Sequence, residues 1–150
     1  MWGTFRVGGR AAPVGPSLRA DAGGAVFTGG CRPWHDPRSL HRRTLQVEAG
    51  ALTVRDRVEG SAGAPLESYL HLHPAFTVRR DGEAWTATRP GQTVVVETWG
   101  IDDATLHVGE RAPVQGWHLP RFGEALPAAA LRLKIRANDG REFGYRIRQG

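Results

Sequence analysis

The run Thr44-Leu45-Gln46-Val47-Glu48-Ala49-Gly50-Ala51-Leu52-Thr53-Val54-Arg55-Asp56-Arg57-Val58-Glu59 alternates on both sides of a small-residue pair. Leu52, Val54 and Val58 fall on one side of the second half, and Thr53, Arg55, Arg57 and Glu59 fall on the other. A period of two is the mark of a half-buried strand. Thr44 to Glu48 alternates in the same way, and Ala49-Gly50 makes a tight connection, so the run reads as a β-hairpin. Asp56 lands on the apolar side. A buried charge must be paired, so Asp56 is expected to be a structural carboxylate held by an Arg or by backbone N–H groups. The alternative is a catalytic carboxylate.

The same period extends outward. Leu66, Ser68, Leu70 and Leu72 share a face, with Tyr69, His71 and His73 opposite, and Pro74 ends that strand. Further strands are predicted over 76–80, 85–88, 93–98, 105–108, 131–137 and 143–147, with turns at Asp81-Gly82, Pro90-Gly91 and Asn138-Asp139-Gly140. Ser61 to Pro65 reads as a loop within one domain. The best helical stretch, Glu124 to Leu131, is interrupted by Pro127. Thr4 to Val7 reads as a strand that begins almost at once, like a domain missing its first strands. The expectation is one all-β domain over 1–150. It would be an antiparallel, jelly-roll-like β-sandwich of about ten to twelve short strands, with truncation at the N-terminus.

Composition narrows the function. The chain has 150 residues, 40% hydrophobic and 23% charged, with 20 Gly and 10 Pro. Its net charge is +5, and Lys134 is the one basic residue that is not Arg. Arg forks onto carboxylates and sulfates, so the excess is read either as a surface for polyanions or as charge spread by coding bias. The densest cluster is Arg42-Arg43 with Arg38 nearby. Cys31 stands alone, so no internal disulfide forms; a reactive thiol and a small buried residue are its two readings. No apolar run approaches the about 20 residues of a membrane span. Met1 to Arg6 lacks the basic and apolar regions of a signal peptide. No nucleic-acid-binding signature is present.

The sequence also carries ordered motifs. Trp2-Gly3-Thr4-Phe5-Arg6-Val7-Gly8 with Arg10-Ala11 comes first, then His35-Asp36, His41-Arg42-Arg43 and Val54 to Gly60, then His71-Leu72-His73-Pro74 and Pro120-Arg121-Phe122-Gly123. In this order they resemble the C-terminal β-sandwich portion of the heparinase II/III-like polysaccharide lyases. His35-Asp36 departs from that pattern, with Pro37-Arg38 where a Gly-Tyr pair is usual. The resemblance implies a β-sandwich lining a cleft opposite an upstream α/α toroid, or opposite a separate catalytic chain. It implies β-elimination on uronate-containing polysaccharides such as heparan sulfate or alginate, and a periplasmic or cell-envelope location. It also implies a structural zinc in the full-length family, for which His35 is the candidate ligand here.

β-Elimination needs a group to neutralise the uronate carboxylate, a base for the C5 proton and an acid for the leaving oxygen. The family's His- and Asp-rich catalytic stretch belongs upstream of Trp2, so no catalytic residue is assigned within the chain, and no cofactor is required by it. Arg38, Arg42 and Arg43 are the candidate contacts to an acidic polysaccharide, beside the His35 loop. Trp34 and Trp117, in polar turn-rich surroundings, are the candidate sugar-stacking rings. Tyr69-x-His71-x-His73 places two imidazoles on one face of a strand, either as a solvated face or as part of a zinc site that lacks its other ligands. Three functions follow: accessory sandwich of a lyase, stand-alone module for acidic carbohydrate, or inactive fragment. An unpaired sheet edge would add self-association.

Overall fold

The computed structural model describes residues 10–60, 65–136 and 140–150. Nine strands run in order from the N-terminal side: β1 (Ala12–Asp21), β2 (Gly24–Arg32), β3 (Leu40–Glu48), β4 (Ala51–Glu59), β5 (Pro65–His71), β6 (Thr77–Asp81), β7 (Ala84–Arg89), β8 (Gln92–Trp99) and β9 (Asp103–Val108). Four two-residue strands follow, β10 (Glu110–Arg111), β11 (Val114–Gln115), β12 (Trp117–His118) and β13 (Leu126–Pro127). The long strands β14 (Ala129–Arg136) and β15 (Glu142–Gln149) close the series.

These strands form two layers. An eight-stranded sheet has the order β1-β2-β3-β4-β15-β8-β7-β6, and a three-stranded sheet has the order β5-β14-β9. Every pairing is antiparallel. The predicted hairpin is β3–β4. Glu48 pairs with Ala51 across Ala49-Gly50, and Gly50 supplies the positive φ of 71° that the turn requires. That turn fixes the register, setting Leu45 opposite Val54 and Arg43 opposite Asp56.

The core lies where the small sheet covers the middle of the large one. Val54, Trp85, Val96, Phe143 and Tyr145 come from the large sheet and meet Leu131, Leu133 and Ile135 from β14. Alternation explains the set: the apolar residues of each strand share the inner face while Thr53, Arg55 and Arg57 face out. At Gly144 the strands approach too closely for any side chain. A Cβ there would run into the Val54 carbonyl and stand 2.7 Å from Trp99 Cζ2.

Beyond β5 the large sheet continues uncovered. Register puts Leu18 beside Phe27 and Phe27 beside Leu45 on the inner face, yet Leu18 is 69% exposed and Phe27 and Val47 are also open. The structure departs from expectation in detail. β1 and β2 were not foreseen, because their Gly and Pro residues blur the alternation. The segment 124–131, in contrast, agrees with the reading that Pro127 precludes a helix: it contains β13 and the start of β14. The strand expected at Thr4–Val7 and most of the turn at 138–140 lie outside the described residues.

Candidate functional site

Three inner-face side chains interrupt the apolar pattern at the uncovered side of the core. Asp56 on β4 is 1% exposed. Its register neighbours are Arg43 on β3 and Phe143 on β15. Arg43 forks onto the carboxylate, Nε donating to Oδ1 at 2.7 Å and Nη2 to Oδ2 at 2.9 Å. His41, two residues before Arg43 on the same face, meets Oδ1 through Nε2 at 2.6 Å. An ionised carboxylate only accepts hydrogen bonds, so Nε2 is the protonated nitrogen of His41.

Burial pushes the Asp56 carboxyl up, but the hydrogen bonds from His41 and Arg43 and their charges outweigh it, and its pKa lies below the ordinary value. The same bond to Asp56 raises the Arg43 pKa further. The Arg pairing expected of Asp56 is present.

A loop walls this network. Arg32 at the end of β2 donates through Nη1 to the Pro37 carbonyl at 3.1 Å. The Ser39 hydroxyl donates to the Asp36 carboxylate, and the Ser39 amide donates to the Asp36 carbonyl at 3.1 Å, closing a turn. Gly60, with φ of 71°, lets the end of β4 run under the Arg38 carbonyl, where a Cβ would stand 2.6 Å from that oxygen. Between the loop and β5 lies a cavity of about 360 Å³. His35, Asp36, His41, Arg43, Glu67 and Ser68 give it polar walls, over an apolar floor of Val58, Leu66 and Phe143. That volume is in the range of small-ligand sites.

The residues singled out from sequence divide among three places. His35 lines the cavity, and Trp34 stands edge-on to it with ring centres 6.1 Å apart and 60% of its surface exposed. Arg38 lies at the rim, almost fully exposed, 3.7 Å from Asp36. Arg43 lies inside, committed to Asp56. Arg42 projects from the opposite, solvent face of the sheet, as strand alternation demands, and is paired in register with Arg57 and Gly30. Trp117 is remote from the cavity: its Nε1 donates to the Glu110 carbonyl at 2.7 Å. The two do not join the others on one surface, because adjacent strand residues point apart and β12 follows a different sheet. Cys31 is half-buried on β2, opposite His41 in register.

His35 and Asp36 are the two ligand types beside each other here, and Asp36 is already held by Ser39 and Arg38. Among the described residues no three His, Cys, Asp or Glu side chains gather to hold a metal. The ligand set for a zinc is therefore incomplete within them. His71 and His73 do not share a site: His71 stacks beside Tyr69, while His73 accepts the Ala75 amide and faces His118. No helix is long and apolar enough to cross a membrane among the described residues.

Glu67 and Ser68 were not singled out from sequence, and His41 entered only within the His41-Arg42-Arg43 motif. The signal for His41 was present, since the two-residue turn at Ala49-Gly50 already sets His41 and Arg43 on the face that carries Asp56. Glu67 and Ser68 depend on how the second layer sits, which alternation does not encode.

The family described as heparinase II/III-like, C-terminal, matches residues 1–146. Among solved structures the heparan sulfate lyase HepC from Pedobacter heparinus is similar, with TM-score 0.71 and 14% identity, covering 93% of this chain and 22% of the lyase chain. The heparinase III product of the BT4657 gene is similar with TM-score 0.70 and 11% identity, covering 92% of this chain and 21% of that one. This chain thus spans about a fifth of the length of these proteins. At such identities the likeness carries the fold. No curated protein matches.

Proposed function

Because this chain belongs to the heparinase II/III-like C-terminal family, we propose that it is the β-sandwich wall of a polysaccharide lyase, contacting a uronate-containing chain during β-elimination while an upstream catalytic domain supplies the base and acid. The observation that carries the reading is the cavity between the Pro33–Ser39 loop and β5. It has hydrogen-bonding walls and an apolar floor, and two of its lining residues carry exposed neighbours: the Trp34 indole beside His35 and the Arg38 guanidinium beside Asp36. Trp34 offers a face to a sugar ring, and Arg38 offers a charge-assisted bond to a carboxylate or sulfate. Asp56 cancels the charge of Arg43 and orients His41, so the inner network shapes the wall and the rim makes the contact. Arg42 and Trp117 would meet a polymer only where it passes over other faces.

A zinc held by His35 would need ligands from outside the described residues. Residence in the periplasm or cell envelope, where such polymers are met, belongs to the same proposal. The second reading, a stand-alone module for acidic carbohydrate, uses the same rim without a catalytic partner.

Isothermal titration with heparan sulfate and with alginate oligosaccharides tests the assignment. Binding is expected to be weak and to fade with salt as the exposed charge is screened. Trp34→Ala and Arg38→Ala should each weaken it by up to about tenfold. Unchanged affinity in both variants would remove the rim from the binding surface.

A further inference from the structure

Every carboxylate along the cavity has an arginine beside it. Asp56 is forked by Arg43. Asp36 lies 3.7 Å from Arg38, and Glu67 lies 3.9 Å from Arg132 while accepting the Tyr69 hydroxyl at 2.6 Å. Within each pair the charges cancel, so the net charge of the lining is set by its two imidazoles, His35 and His41. His35 is exposed on the loop beside Trp34. His41 is set deeper, on β3, with 38% of its side chain exposed.

His41 is tethered at one nitrogen. Nε2 donates to Asp56 Oδ1 at 2.6 Å. Nδ1 has no hydrogen-bond partner among the described residues and is not one of their buried unpaired atoms, so it is the nitrogen open to the cavity that the ring lines. This decides where the ring titrates. Nε2 keeps its proton for the carboxylate, and the second proton enters and leaves at Nδ1. The neutral ring offers the cavity a lone pair, which repels a carboxylate or sulfate oxygen. The imidazolium offers a charged N–H, which binds one. Unlike carboxylates, phenols and guanidinium groups, imidazole changes charge between about pH 5 and 8. Asp36, Asp56, Glu67, Arg43 and the loop's Arg32 therefore supply a constant charge around it. Cys31, opposite His41 on β2, and the Tyr145 phenol, pushed up by burial, are the other titratable groups on the inner faces of the neighbouring strands.

Building on the polysaccharide wall proposed above, we infer that His41 is the anion-receiving group inside the cavity: its imidazolium Nδ1–H bonds one carboxylate or sulfate oxygen of an acidic sugar, and the wall holds its polymer more tightly as pH falls. Asp56 positions the ring, and Arg43 balances Asp56 so that the added proton is not spent on it. The contact then lies inside the cavity as well as on Trp34 and Arg38.

Isothermal titration of the whole chain at fixed ionic strength, in buffers of different ionisation enthalpy, reads affinity and proton uptake together. An alginate oligosaccharide presents carboxylates alone, and dextran sulfate presents sulfates alone. Binding is expected to be about tenfold tighter at about pH 5.5 than at about pH 8, with a proton taken up on binding near about pH 7. His41→Gln keeps an amide donor for Asp56 but cannot titrate. It should bind at both pH values as weakly as wild type does at the higher one, and take up no proton. His35→Gln should keep the pH dependence. Imidazole nitrogen-15 shifts of the wild-type chain read the same site without a variant: Nε2 should stay protonated throughout, and bound oligosaccharide should move the Nδ1 titration to higher pH. Dependence with one polymer and not the other identifies the oxygen that the site takes, and dependence with both shows that it takes either. Binding that is independent of pH, or whose dependence survives His41→Gln or disappears in His35→Gln, overturns this inference alone. Absence of binding at every pH overturns the polysaccharide wall as well.

Discussion

Asp56 shows how a single residue can be read from alternation alone and still need its partners from the fold. Its place on the apolar face required a counter-charge, and the hairpin register names Arg43 as that partner. Replacing it with Asn removes the charge that holds both Arg43 and His41. Arg43 is partly exposed and water recovers some of the loss, so Asp56→Asn should destabilise the fold by about 2 kcal/mol, read from denaturant unfolding. The pH dependence has a definite sign. The folded pKa of Asp56 is lowered, so its contribution is fully present above the unfolded value, about 3.9, and is lost as pH falls through the depressed folded value. Wild type should therefore lose stability steeply in that acid window, and the Asn variant should show a shallower slope there. Gly144 carries a different lesson. Nothing in the sequence marks it, but Gly144→Ala should cost about 1–3 kcal/mol through the clash with Val54 and Trp99.

At the scale of elements, the strands with clean alternation were legible from sequence: β3, β4, β5, β7, β8, β14 and β15 lie within a few residues of their predicted spans. β1 and β2 were not, because Gly15, Pro16, Gly23, Gly24, Gly29 and Gly30 interrupt the pattern and the ladder between Val14 and Ser17 shifts register. The pairing of β14 with β5 and β9 was also hidden, since such long-range pairing leaves no local signal. β14 is the element on which the two layers depend. Leu133→Ala should cost about 2–5 kcal/mol, whereas Leu126→Ala, exposed on β13, should leave the melting temperature nearly unchanged. The inner face of β1–β3 presents Leu18, Phe27 and Val47 to solvent. An open apolar sheet face draws other chains. Sedimentation should show concentration-dependent association that Leu18→Lys/Val47→Lys suppresses; association unchanged in that double variant would place the contact elsewhere.

For the molecule as a whole, the family and the two-layer β fold were readable from ordered motifs and a period of two. The cavity was only partly so. His35, Trp34 and Arg38 sit in one loop and were read together, while Glu67 and Ser68 reach the cavity through the packing of the second sheet. With the base and acid supplied by a separate catalytic domain, as proposed, the chain by itself should release no unsaturated uronate from heparan sulfate or alginate in a continuous ultraviolet assay. The most direct test of the wall itself is a heteronuclear NMR titration of the chain with an acidic uronate oligosaccharide. Shifts should concentrate on Trp34, His35, Arg38 and His41 around the cavity, and vanish as salt is raised. Shifts confined to another face, or none at oligosaccharide concentrations that saturate weak sites, would contradict the account.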